Sequence, residues 1–315
     1  MPHPPIGLFA AVMGLVGLGL AGRAAAPLFP GVFRAPAYFT ELWVALGLLA
    51  FTALVVFYAR KVALDLQAVR AELTEPAKLG FAGAPGVAAS LVAAGLAPYS
   101  PPVAGALWWI ALALNAAILV RGLARLAQLG FRTRELHPGW IVVCMGGIVL
   151  PTGGIALGYR EAAQWAFCVG AAAGLLLVVP LLRAAPLPER IRPTWFILLA
   201  PPSLLYLNGS ALFNEAFFEA FFFIAVAVLA AVLFYARSLH RWGFGPAWWS
   251  ITFPLDAFAL AATRYARDHG GAWKALAGFA VVLATLAVAW MVLRTIIEVV
   301  RERADARRNA NARVQ

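Results

Sequence analysis

Charge is scarce in this 315-residue chain. Only 12% of its residues are Asp, Glu, Lys or Arg, about half the share of a soluble domain. Cysteine is nearly absent: Cys144 and Cys168 form neither a disulfide framework nor a metal site. The four histidines, His3, His137, His240 and His269, fall at no metal-ligand spacing, so no metal and no cofactor is expected. There is no phosphate-binding glycine loop, nucleophile elbow or zinc motif. Polar connectors are too short for a soluble catalytic domain, the longest being 60–79 and 121–139. An enzyme is therefore not expected.

What is present is apolar sequence in recurring blocks, 63% of the chain being hydrophobic. Ten blocks approach or exceed the roughly 17 residues a spanning helix needs: 4–22, 38–59, 80–97, 102–120, 140–157, 161–182, 194–209, 214–236, 246–266 and 272–297. The third and seventh are the weakest. Residues 207–217 fit a loop or the end of either neighbour. With spans so placed, 19 of the 25 Lys and Arg residues fall on one side. That side is cytoplasmic by the positive-inside rule, which puts both termini there and the chain in the inner (plasma) membrane. The net charge of +11 is then topology and contact with anionic lipid headgroups, since it forms no nucleic-acid-binding domain. His3 precedes the first apolar run without Lys or Arg, a poor secretory leader, so this run is read as the first helix. The expected organisation is one membrane domain over 1–300 and a basic cytoplasmic tail over 301–315.

The spans alternate in character. Odd-numbered ones carry the breakers: Gly14 and Gly17; Gly83, Pro85 and Gly86; Gly146, Gly147, Pro151, Gly153 and Gly154; Pro201 and Pro202; Pro254. Even-numbered ones run smoothly, as in Phe221-Phe222-Phe223-Ile224-Ala225-Val226. A helix with missing backbone hydrogen bonds is tolerated in lipid only where it packs on protein or lines a cavity. The alternation therefore predicts five helical hairpins, each with a broken inner helix and a straight outer one. Trp108-Trp109, Trp140, Trp242 and Trp248-Trp249 lie near span ends, as interfacial aromatic belts do.

In Trp248-Trp249-Ser250-Ile251-Thr252-Phe253-Pro254-Leu255-Asp256 a proline and a carboxylate interrupt an apolar run. This segment and Pro193-Thr194-Trp195-Phe196-Ile197-Leu198-Leu199-Ala200-Pro201-Pro202-Ser203-Leu204 resemble the ninth and seventh helices of the tellurite-resistance/dicarboxylate transporter family, which includes the bacterial TehA proteins and the plant guard-cell slow anion channels. The resemblance implies an all-α integral membrane fold of ten transmembrane helices, arranged as five hairpins around a quasi-fivefold central pore and assembled as a homotrimer. It also implies a gating phenylalanine on the ninth helix, here Phe253, although Ile251 stands where the family has a first aromatic. A bulky apolar ring in a narrow throat gives an ion nothing in exchange for its hydration. Candidate pore-lining or kink residues are Gly14, Gly147, Pro151, Pro201, Ser203, Thr252 and Pro254.

Asp256 does not fit a simple anion pore. An ionised carboxylate about 4 Å from a passing anion repels it by about 4 kcal/mol at an effective dielectric of 20. It must be protonated, paired with another helix, or off the pore axis. Asn115, Asn208, Asn214, Glu215 and Glu219 are further polar residues near apolar segments, and the glutamate pair reads as interfacial. The expected function is a gated channel for small inorganic or organic anions, closed by Phe253. The alternative is a proton-coupled carrier or exporter of C4-dicarboxylates or toxic oxyanions such as tellurite or sulfite, with Asp256 as the coupling group. A scaffold with a blocked pore is a further reading.

Overall fold

The computed structural model describes residues 4–31, 37–130, 136–182 and 187–312. Among them every regular element is helical: α1 (Phe9–Ala25), α2 (Ala37–Leu64), α3 (Leu66–Thr74), α4 (Pro76–Leu79), α5 (Ala84–Leu96), α6 (Pro101–Gln128), α7 (Trp140–Met145), α8 (Pro151–Gly154), α9 (Arg160–Leu182), α10 (Ala200–Phe213), α11 (Glu219–Ala236), α12 (Thr252–His269) and α13 (Trp273–Ala312). Eight helical stretches are long and apolar enough to cross a membrane, which makes this a multi-pass membrane protein. Two segments read from the sequence as spans fall outside that set. Trp140–Gly154 is apolar but short, and α12 carries Asp256, Arg264, Arg267 and Asp268.

Burial divides these stretches into two populations. In the most apolar 18-residue windows of Ile6–Ala25 and Pro76–Leu96, 78% and 83% of residues lie inside the protein, against 11% in that of Tyr38–Leu64. Every residue of α12 from Thr252 to Thr263 is buried, although its composition is the most polar of the long helices. Consecutive helices pack as pairs, α1 on α2, α5 on α6 and α12 on α13. The buried members also touch one another: α1 meets α5 and α12, α5 meets α8, and α10 meets α12.

The prolines act differently from the expectation of mid-helix kinks. Pro85, Pro151 and Pro201 stand within the first two positions of α5, α8 and α10, and Pro254 is the third residue of α12. At those positions the missing N–H is one the helix leaves without an internal partner. Three buried helices are entered through tighter 3-10 turns: Ile6–Leu8 before α1, Glu189–Leu199 before α10 and Pro246–Ile251 before α12. The second of these is long for such a helix. The chain thus changes helical pitch inside the protein, next to a cavity.

Three further readings change. Residues 207–213 continue α10, which Asn214 ends with a left-handed backbone at φ 55°. The 60–79 connector is helical: α2 runs to Leu64, Asp65 caps α3 by accepting the Ala68 N–H at 2.9 Å, and α4 follows. The tryptophans read as belt residues are mostly internal. Trp108 donates to the Leu150 carbonyl (2.9 Å) and Trp248 to that of Gly243 (2.8 Å), and Trp140, Trp242 and Trp249 are buried too. Trp109, Trp165 and Trp290 are the exposed ones.

Candidate pore and gate

Where the pitch changes, the buried helices surround a cavity of about 280 Å³. Ala10 and Met13 of α1, Ala84 and Val87 of α5, Met145 of α7 with Gly146, Ile148 and Val149 after it, Ala200, Pro201 and Leu204 of α10, and Phe253 and Pro254 of α12 contribute to its wall. The wall is apolar apart from Glu72, Lys78 and Ser250. Four helices of thirteen residues or more, α1, α5, α10 and α12, therefore begin at the cavity and direct the positive ends of their dipoles toward it. An anion entering this space meets a favourable field without a fixed cation deep in the wall.

Phe253 lines the cavity together with Met13, Val87, Val149 and Leu204. Its side chain is 5% exposed. Unlike Phe222, Phe258 and Tyr265, which stack on one another, Phe253 takes part in no aromatic pair among the described residues.

The other candidates separate into two groups. Pro201 and Pro254 line the cavity with Phe253. Gly14 and Gly147 instead allow close helix approach: a Cβ on Gly14 would run into the Thr252 side chain, and one on Gly147 into the carbonyl oxygen of Ala166. Thr252 is fully buried against α1 and bonds the Trp249 carbonyl at 2.8 Å; Ser203 is fully buried and bonds that of Leu199 at 2.7 Å. Pro151 starts α8 in the core, outside the cavity wall.

Asp256 follows Thr252 along the same face. A Cβ on Gly17 of α1 would stand 2.8 Å from its Oδ2, so the carboxyl group packs on α1 backbone. It is fully buried, and neither oxygen has a hydrogen-bond partner among the described residues. Glu215 lies exposed before α11 and the half-buried Glu219 starts it, 3.7 Å from His269. Asn208 donates to the Ile148 carbonyl at 2.7 Å and Asn115 to that of Ala111 at 2.8 Å, so both serve packing.

The mouth of the cavity holds a cluster that sequence reasoning missed. Glu72 of α3 pairs with Lys61 at 2.8 Å, both nearly buried, and accepts from the Tyr58 hydroxyl at 3.0 Å and the Ile6 N–H at 3.3 Å. Arg121 bonds the Leu73 carbonyl at 3.1 Å, and His137 Nε2 that of Ala77 at 3.0 Å. Burial holds the His137 imidazole down to about 4, so it is neutral, with the proton on Nε2 and Nδ1 accepting from the Gly139 N–H. These contacts fix α3 and α4 across the mouth. No spacing rule announces them, because the partners lie 11 to 66 residues apart.

Comparison with known proteins adds an independent finding. The SLAC1 family model, described as "Voltage-dependent anion channel", matches residues 3–296. Among curated proteins, the S-type anion channel SLAH2 of Arabidopsis thaliana is 28% identical over 246 residues, covering 73% of this chain and 46% of that protein. The S-type anion channel SLAH3 is 24% identical over 276 residues (83% and 43%). The guard cell S-type anion channel SLAC1, also of Arabidopsis thaliana, is 24% identical over 287 residues (85% and 50%). The chain thus spans about half the length of the curated relatives it matches.

Proposed function

Because the chain belongs to the SLAC1 family, we propose that it is a passive, gated channel for small anions whose conduction path runs through the central cavity and is closed by Phe253. The observation that supports this reading is the cavity itself, walled by parts of the five broken segments with Phe253 among its lining residues. We take those segments as the inner members of five hairpins, ten crossings in all; the pairing of α1 with α2, α5 with α6 and α12 with α13 supports this. Anions are selected by the helix ends around the cavity, the width of the throat and the ease of losing hydration. Weakly hydrated nitrate then passes more readily than chloride.

Asp256 bears on the carrier alternative. A coupling group must meet the transported ion or its path, yet this carboxyl lies against Gly17 and outside the cavity wall. That placement supports passive conduction. The proposed setting is a homotrimer in the plasma membrane with both termini cytoplasmic. The test is recording from purified protein in planar bilayers under a potassium nitrate gradient, wild type against Phe253→Ala. Larger anion-selective currents in the variant support the reading; silence in both, with proton-driven anion uptake in proteoliposomes, replaces it with the carrier.

A further inference from the structure

The face that α12 presents to the path can be followed beyond Phe253. Thr252 and Asp256 meet α1 at Gly14 and Gly17, while Phe258 and Tyr265 stack on Phe222 of α11. Between these two directions lies the face of Phe253. At 3.6 residues per turn it continues through Ala257 and Leu260 to Arg264, which lies about 20° from Phe253 around the helix and about 16 Å farther along it. Ala257 and Leu260 are apolar and buried. Arg264 is the first charged residue on this face past the gate.

Its charge is met by one long ion pair among the described residues. Arg23, at the same end of the bundle, bonds Glu41 at 2.7 Å and the Gly95 carbonyl at 3.0 Å. Arg160 caps α10 by donating to the carbonyls of Ala211 and Leu212. Arg264 instead has Asp268 Oδ2 at 3.7 Å from Nε, a long ion pair beyond hydrogen-bonding distance, and this buried Nε makes no hydrogen bond among the described residues. Its side chain is 32% exposed, reaching solvent from within the bundle. Arg267, about 40° to the other side of the Phe253 direction, is fully solvated.

We propose that Arg264 is the anion-capturing group of the mouth opposite the cavity, with Asp268 setting how much of its charge a small anion feels. The inference rests on the channel reading. A partly exposed guanidinium held only in a long ion pair suits nitrate or chloride, binding weakly enough for release into the throat.

The test uses the full chain carrying Phe253→Ala, with nitrate currents recorded in inside-out and outside-out patches at low ionic strength. Arg264→Gln is expected to raise the half-saturating nitrate concentration at the Arg264 mouth roughly fivefold, with the effect shrinking in high salt. The same variant leaves the value at the cavity mouth unchanged. Asp268→Asn lowers it at the Arg264 mouth, and Arg264→Lys, which keeps the charge, restores it. The proposal is overturned if Arg264→Gln alters both mouths equally, or if neither Arg264→Gln nor Asp268→Asn shifts the value in protein that elutes as wild type does. If the Phe253→Ala protein carries no anion current, the channel reading itself fails; a conducting Phe253→Ala protein indifferent to residue 264 removes only this inference.

Discussion

Replacing Phe253 by alanine tests whether the ring is a barrier or packing. Its removal opens space on the order of three water molecules beside the cavity it lines. An anion crossing the intact ring exchanges hydration for an apolar edge. Restoring about 2 kcal/mol of that hydration raises the rate of passage roughly thirtyfold. The stability cost should fall below the about 3 to 5 kcal/mol of a typical core Phe→Ala change, because the ring already borders a cavity of about 280 Å³. Single-channel conductance under a potassium nitrate gradient, beside a thermal melt of the same preparation, measures both quantities. Unchanged current in a stable, correctly assembled variant refutes the gate; a large loss of stability without added current assigns the ring to packing.

Other predictions concern the scaffold. Gly14→Ala should force α1 away from Thr252 and cost about 1 to 3 kcal/mol in a chemical melt, and adding Thr252→Ser, which removes a methyl group, should recover little because the hydroxyl oxygen is the nearest atom met. Lys61→Met should cost about 3 to 5 kcal/mol by leaving Glu72 buried and unpaired, and Lys61→Met with Glu72→Gln should cost less; equal melts for the two proteins would exclude a working ion pair. His137 has its pKa lowered from 6.5 to about 4, so the unfolded chain binds the extra proton between these values. Stability from the neutral imidazole is fully present above pH 6.5 and declines as pH falls toward 4, by roughly 3 kcal/mol at most. Melts across that range should lose this slope in His137→Gln.

Scarce charge, recurring apolar blocks and a one-sided distribution of Lys and Arg were enough to determine a multi-pass membrane protein, because lipid tolerates only backbones that satisfy themselves. The motif around Phe253 was likewise legible, since a proline after an aromatic in an apolar run is a local pattern. Tertiary structure decided what each breaker does. Pro254 and Pro201 line the cavity because α10 and α12 begin there, whereas Gly14 and Gly147 serve helix contact, and no local rule distinguishes the two uses. The same holds for charge. Lys61 and Glu72 neutralise each other at the mouth because the fold sets α3 against the end of α2, whereas Arg264 holds Asp268, one turn away, only in a long ion pair, and packing rather than spacing decides which pairs close.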